Sequence, residues 1–172
     1  MKTTLLDEFE RALRERNPTL ANRLQPGLPE TRIRRMLSRA KVQGAVEPVI
    51  ELFSWRNGSQ LDPSVAQFSS PFPKSDYIFM DFELMLADFD GFKEGAIYHP
   101  RMTELVGRYF PIFWDGSNGW LAVDIGSLSP NRVVLVDAQC EEPVKDAYRS
   151  FHEFLKDAIR ANEENDKLAC FK

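Results

Sequence analysis

The chain has 172 residues, 43% hydrophobic and 28% charged, which is enough for one globular domain with its own core. Its net charge of −4 is unevenly spread, because residues 1–58 carry +4 and residues 59–172 carry −8. A chain without an overall basic field is not expected to bind nucleic acid. Its apolar runs are shorter than the roughly 18 residues of a membrane span, and its first residues turn polar too soon for a signal peptide. We therefore expect a cytoplasmic protein without a nucleic-acid or membrane partner.

Apolar residues at helical spacing predict three helices in the first third of the chain. The first covers residues 4–16 and opens with a Thr-x-x-Asp version of the capping box. The second begins near Pro29, and Gly44 stands where its C-terminal cap is expected. The third covers residues 48–56 and is expected to end at Asn57-Gly58, two residues that readily adopt the left-handed conformation.

The middle of the chain predicts a loop followed by shorter elements. Residues 59–76 contain three prolines and predict a long irregular crossing. Residues 77–80 predict a brief strand, and residues 81–91 predict a helix that stops at Asp-Gly. Further on, Ile97-Tyr98 could add a strand, and residues 102–106 could form one helical turn.

Three strands and a final helix complete the predicted fold. Residues 109–114, 120–124 and 132–137 are rich in β-branched and aromatic residues, and their connections have turn composition, which predicts an antiparallel meander. The last helix begins at Ser150 with a full Ser-x-x-Glu capping box. The tail that follows is expected to be frayed, except where Leu168 and Phe171 could anchor it. We expect an α+β fold, in which helices pack on a twisted, mainly antiparallel sheet.

Candidate catalytic and metal-binding residues are few. The two histidines, His99 and His152, lie in unrelated elements, and the two cysteines lack metal-type spacing. Asp115, Asp124 and Asp137 end successive predicted strands and could meet at one edge as a cation or acid–base cluster. Strand-end aspartates more often make local side-chain hydrogen bonds. We therefore expect no enzyme activity, no catalytic residues, no cofactor and no bound metal.

A row of arginines offers one surface that could contact a partner. Arg32, Arg35 and Arg39 share one face of the second predicted helix. Such a row could touch phosphates, but it is more often a solvated face, and the acidic remainder of the chain favours that interpretation.

The turn between the first two strands of the meander is the candidate protein-contact site. Strand alternation places Phe113 and Trp114 on opposite faces, so one ring enters the core and the other could stand in solvent, unless a helix covers that face too. An exposed Trp beside Asp, Ser and Asn is typical of a protein-binding hot spot. The candidate partner-binding residues are Trp114, Asp115, Ser117, Asn118 and Trp120.

Four motifs, in this order, resemble the SUKH superfamily, which includes the fungal cell-wall assembly regulators of the Smi/Knr type. The motifs are LFSWRNG at 52–58, YFPIFWDG at 109–116, WLAVDI at 120–125 and SFHEFL at 150–155. The resemblance spans about residues 28–160. The chain departs from the family in the helix before residue 18 and in the proline-rich loop at 62–73.

The resemblance implies a SUKH-like domain at 19–161, with an extra packed N-terminal helix at 1–18 and a C-terminal tail at 162–172. It also implies a non-catalytic role. Bacterial members are mostly immunity proteins that neutralise toxins, including nucleases and deaminases, and an acidic surface would suit the many toxins that are basic. The leading hypothesis is an immunity protein with a toxin domain as partner. The alternative is a regulatory or scaffold protein of the cell-wall assembly regulator type, without a toxin.

Overall fold

The computed structural model describes residues 4–60, 70–126 and 131–171, and it confirms the α+β fold class. The elements in chain order are α1 (Leu5–Arg16), α2 (Pro18–Ala21), β1 (Leu24–Pro26), α3 (Glu30–Arg39), α4 (Glu47–Trp55), β2 (Arg56–Ser59), α5 (Phe82–Tyr98), a first 3₁₀ helix (Pro100–Leu105), β3 (Tyr109–Trp114), β4 (Gly119–Asp124), β5 (Val133–Asp137), β6 (Val144–Tyr148), α6 (Phe151–Glu164) and a second 3₁₀ helix (Ala169–Phe171). Strands β1 and β2 form a small antiparallel sheet. The main sheet is antiparallel in the order β3-β4-β5-β6, so the predicted meander is confirmed and gains a fourth strand.

Strand β4 is buried at all six of its positions, because helices cover both faces of the main sheet. Leu121 and Val123 face the main core, which also contains residues of α1, α3, α4 and α6. Trp120 and Ala122 face a second core, which contains Phe92 of α5 and residues of the first 3₁₀ helix. Alternate residues of one strand therefore enter two different cores.

A β-bulge in β3 brings two consecutive apolar side chains into the main core. Pro111 pairs with Ala122 and Phe113 pairs with Leu121, which leaves Ile112 as the extra residue of β3. Ile112 and Phe113 are both buried in the main core. The ring centroid of Phe113 lies 4.9–5.9 Å from those of Phe72, Phe79 and Phe154. The bulge thus fills the space between the sheet and the helices with aromatic rings.

Side-chain caps begin the first and last of the long helices, as predicted. At α1, the Thr4 hydroxyl accepts from the Asp7 N–H (3.2 Å) and the Asp7 carboxylate accepts from the Thr4 N–H (3.0 Å), which completes the capping box. At α6, the Ser150 hydroxyl accepts from the Glu153 N–H (3.1 Å), while the Glu153 carboxylate accepts from the Arg149 N–H (3.1 Å). In this second box, the Glu153 carboxylate therefore accepts from the residue before the N-cap and not from the N-cap residue Ser150 itself.

The N-terminal helix shares the main core with the rest of the chain. Leu6, Phe9 and Ala12 are buried in that core. The Arg16 Nε donates to the Asn162 side-chain oxygen of α6 at 2.6 Å, which links the two terminal helices directly.

The C-terminal tail is held against the body of the protein. Helix α6 continues to Glu164, beyond the predicted boundary at residue 161. Leu168 is fully buried, and the ring of Phe171 stacks on Tyr77 with centroids 5.4 Å apart. The two residues expected as possible anchors of the tail, Leu168 and Phe171, thus both make apolar contacts with the body of the protein.

Helix α5 corrects two predictions. It continues through Gly91 to Tyr98, so the predicted stop near Asp90-Gly91 and the predicted strand at Ile97-Tyr98 are both wrong. The ring of Phe92 packs edge-on to Trp120 at 5.2 Å, and this tertiary contact holds the second half of the helix. The predicted helical turn that follows is confirmed as the first 3₁₀ helix.

Gly44 does not cap the second predicted helix. Helix α3 ends at Arg39, five residues earlier. Gly44 has φ = +115°, and a Cβ built there would lie 2.0 Å from the carbonyl oxygen of Ile125. The glycine is therefore required by a close approach to the end of β4.

Gly58 has the left-handed backbone predicted for it, with φ = +79°, but it lies inside β2. Helix α4 ends at Trp55, and Arg56 is already extended. The neighbouring strand predicted at residues 77–80 is reduced to a single bridge between Ile78 and Trp114.

Parts of two predicted connections lie outside the described residues. These are residues 61–69 of the predicted crossing and residues 127–130 of the second meander turn.

Replacing Gly91 by alanine is expected to raise the free energy of unfolding by about 0.5–1 kcal/mol. Gly91 is exposed in the helix interior, and a Cβ built there meets no atom within 4 Å. Gly58→Ala is the contrasting variant, because its Cβ would lie 2.6 Å from the backbone nitrogen of Asp81 at positive φ. It should lower stability by more than about 1 kcal/mol. Urea unfolding of both variants measures the difference, and a destabilised Gly91→Ala would contradict the helical assignment.

Candidate protein-contact site

The predicted contact turn is closed by its own hydrogen bonds. The Asp115 carboxylate accepts from the backbone N–H groups of Ser117 (2.8 Å) and Gly119 (3.0 Å). The Trp114 Nε1–H donates to the Ser117 carbonyl at 2.9 Å. Asp115 thus fixes the turn, and Ser117 and Asn118 are its exposed candidate residues.

Trp120 lies beneath α5 and is only 9% exposed. Its Nε1–H donates to the Asp88 carboxylate of α5 at 2.8 Å. Burial raises the pKa of Asp88, and the hydrogen bond from Trp120 opposes part of this rise. A helix thus covers this face of the sheet, as the alternative left open for the contact turn allowed, and the candidate residue Trp120 is buried. Trp114 is half-buried.

The three strand-end aspartates do not form one cluster. In an antiparallel sheet, successive strands run in opposite directions, so their last residues lie at opposite ends of the sheet. Asp124 is accordingly paired with Tyr109 at one end, while Asp137 is paired with Gly119 at the other end, beside Asp115. The described residues contain no group of three or more His, Cys, Asp or Glu side chains that could hold a metal ion.

Asp124 is the carboxylate that sequence reasoning undervalued. It is fully buried and accepts hydrogen bonds from Arg108 (3.2 Å) and Arg132 (2.9 and 3.0 Å). Burial favours a higher pKa for Asp124, but the two guanidinium groups outweigh it and hold the pKa below the ordinary value. Each arginine directly precedes a strand that neighbours β4, which is the sequence signal that could have revealed this site.

An open cleft of about 1060 Å³ lies between the first 3₁₀ helix and β6. Arg108 and Arg132 line it, and Arg132 also donates to Asp146 at 2.7 Å. The other charged side chains in its lining are Arg101, Glu104, Glu141, Glu142 and Lys145. The cleft can therefore accept charged side chains of a partner.

The exposed large hydrophobic side chains of the described residues all belong to α5. They are Leu84, Ile97 and Tyr98, with 45%, 75% and 78% of their surface exposed. Ile97 and Tyr98, here called the apolar tip, end α5 directly before the 3₁₀ helix that lines the cleft. The sequence did not predict this feature. Ile97 and Tyr98 have the composition of a strand, whereas packing against the core extends helix α5 through them.

The arginine row predicted on the second helix lies on the exposed side of α3. Arg32, Arg35 and Arg39 are all exposed. Arg32 donates to Glu83 of α5 at 2.7 Å, so at least one member of the row is paired with a carboxylate. This pairing favours the solvated-face interpretation of the row.

Replacing Asp124 by asparagine is expected to lower the free energy of unfolding at pH 7 by about 2 to 3 kcal/mol, since two guanidinium groups lose the negatively charged carboxylate that they share. The folded state lowers the pKa of Asp124, so its contribution is complete above the ordinary carboxyl pKa and disappears as the pH falls through the folded value. The difference between wild type and variant should therefore narrow below about pH 4.

Urea unfolding at neutral and acidic pH measures this effect. Asp146→Asn is the matched control, because it removes an exposed carboxylate from the same Arg132 and should cost less than about 1 kcal/mol. Equal losses in the two variants would show that burial of Asp124 does not set its importance.

Comparison with known proteins assigns no family. No protein-family model matches the chain, and a search of curated proteins finds no match. None of the helices within residues 4–60, 70–126 and 131–171 is both long and apolar enough to cross a membrane. The functional inference therefore depends on the chain's own residues.

Proposed function

We propose that this chain is a non-catalytic binding protein, an immunity protein that binds and neutralises a bacterial toxin. The observation that carries the proposal is the apolar tip, where Ile97 and Tyr98 are more than 70% exposed beside a charged cleft. Large apolar side chains that are grouped on a surface mark interaction sites, and tyrosine is enriched at binding hot spots. A protein partner is the ligand that such a combination suits.

The proposal also draws on the SUKH-like resemblance, whose four motifs lie in or beside helices and strands of the fold. Residues 52–58 join α4 to β2, residues 109–116 contain β3, residues 120–125 contain β4 and residues 150–155 open α6. Their apolar side chains are largely buried, which agrees with the structural role that the resemblance implies.

Local hydrogen bonds and ion pairs give the three strand-end carboxylates structural roles. Asp115 closes the contact turn, Asp124 binds two arginines, and Asp137 accepts from the Gln139 N–H at 2.9 Å and the Cys140 thiol at 3.1 Å. These bonds favour a binding role over acid–base catalysis. Cys140 and Cys170 are both unpaired, which suits action in the reducing cytoplasm.

Co-expression with the toxin encoded beside this chain tests the proposal. We expect cells to survive and the two proteins to elute together, because the partner's harmful site would be blocked. Cell death equal to that without the chain, with no complex, would contradict the immunity role. Recovery of housekeeping enzymes in place of a toxin would favour the regulatory or scaffold alternative.

A further inference from the structure

We infer that residues 166–171, here called the latch, open and close as a unit while the rest of the protein stays folded. The closed latch covers the ring of Tyr77, and its opening uncovers that ring beside the contact turn. The inference goes beyond the proposed function, because it concerns a movement of this chain alone.

The latch begins at a sharp change of backbone direction. Helix α6 ends at Glu164, and Asn165 has the left-handed conformation with φ = +50°. This conformation ends a helix, and asparagine adopts it more readily than most residues. The chain then runs back along α6, so that Ala169 reaches Asp157, which lies two helical turns before the end of the helix. Asn165 is therefore the hinge of the latch.

Side chains of α6 hold the backbone of the closed latch. Residues 166–168 have no regular structure, and residues 169–171 form the second 3₁₀ helix, so the latch lies outside both sheets. The Ala169 N–H donates to the Asp157 carboxylate at 2.6 Å. The Lys167 carbonyl accepts from the Arg160 guanidinium at 2.9 Å. A segment held by single hydrogen bonds to side chains can open without breaking a strand ladder.

The carboxylate that holds the latch keeps other partners when the latch opens. Asp157 also accepts from the Tyr148 hydroxyl of β6 at 2.6 Å and from the Arg160 Nε of its own helix at 2.8 Å. Opening therefore removes one of three donors, and the half-buried charge stays paired. The body of the protein can thus remain folded around Asp157 while the latch is open.

Apolar contacts of the latch lie close together in sequence. Leu168 is fully buried in the main core, and the ring of Phe171 stacks on Tyr77 with centroids 5.4 Å apart. Between them, the Cys170 thiol lies 3.4 Å from the Tyr148 hydroxyl. Because these side chains belong to one segment of six residues, a movement that removes one contact also weakens the others. The latch is therefore expected to open cooperatively.

The ring that the latch covers lies beside the contact turn. Tyr77 directly precedes Ile78, whose N–H donates to the Trp114 carbonyl at 2.6 Å. Burial raises the pKa of the Tyr77 hydroxyl, and the negative charge of Asp115 adds to the rise, which places Tyr77 near the residue that fixes the turn. Opening would therefore add an aromatic ring to the surface next to the polar pair Ser117 and Asn118.

Amide hydrogen exchange of the wild-type chain tests the inference. The N–H groups of Ala169 and Phe171 are hydrogen-bonded in the closed latch. We expect both to show the same protection factor, at least about 100-fold below that of the β4 amides, and to depend little on urea, because a local opening exposes little surface.

Two results of this measurement would overturn the inference. Protection equal to that of β4, with the urea dependence of global unfolding, would show that the segment opens only when the whole protein unfolds. Unequal protection of Ala169 and Phe171 would show that the segment does not move as a unit. These measurements use the chain alone, so a failure of the proposed function leaves them unaffected.

Thiol labelling of variants gives a second readout. Cys170 is half-buried in the latch, whereas Cys140 is exposed and serves as the internal reference. Leu168→Ala weakens the closed state, so it should speed the reaction of Cys170 with an aromatic disulfide reagent at least about tenfold and leave Cys140 unchanged. Lys167→Ala is the matched control, because it shortens an exposed side chain of the same segment and should stay within about twofold of wild type.

Photochemically induced nuclear polarisation, which detects tyrosine rings in solvent, shows what the open latch uncovers. The signal of Tyr77 should increase in Leu168→Ala, while that of Tyr98, which is 78% exposed, should stay the same. Faster labelling of Cys170 without a gain at Tyr77 would contradict the covering of this ring. Equal labelling rates of Cys170 in Leu168→Ala and in Lys167→Ala would contradict the latch itself. Strong protection of the β4 amides in Leu168→Ala shows that its body is folded, and the wild-type exchange decides the inference if this variant does not fold.

Discussion

The burial of β4 on both faces is the constraint on which the rest of this structure depends. Leu121 and Val123 require helices on one side, and Trp120 and Ala122 require them on the other. Helices α1, α3, α4 and α6 contribute to the first core, while the end of α5 and the first 3₁₀ helix contribute to the second. The arrangement also forces the last residue of β4, Asp124, out of contact with water, and two arginines compensate its charge.

The same constraint shapes the surface. Helix α5 belongs to both cores, since Phe82, Met85 and Phe89 enter the main core and Phe92 enters the second. The helix therefore packs against β3, and Ile97 and Tyr98 of its final turn are exposed. The 3₁₀ helix that follows forms one wall of the cleft. The proposed contact surface is thus a consequence of how the second core is covered, and it lies on a rigid element suited to recognition.

Local signals explain which parts of the fold could be predicted. The Thr4 cap, the Ser150 cap and the turn from Asp115 to Gly119 depend on groups that are close in sequence, and each lies where its pattern indicates. Strand β6 was missed because an edge strand exposes charged residues, here Lys145 and Asp146, which weaken the usual strand pattern. Gly44 and Gly58 were recognised as special, but their roles depend on backbone contacts with Ile125 and with residues 80–81, which are distant in sequence.

The amino-acid sequence by itself determined the α+β class, the meander, the N-terminal caps of α1 and α6 and the excess of acidic residues after residue 58, because these follow from local periodicity and composition. It also singled out the candidate residues Trp114, Asp115, Ser117, Asn118 and Trp120. Only the tertiary structure decided that Trp120 is buried beneath α5, that Asp124 is separated from Asp115 and Asp137, and that Ile97 and Tyr98 stand in solvent. Which face of an element meets another depends on contacts between residues far apart in the chain, and no local pattern contains that information.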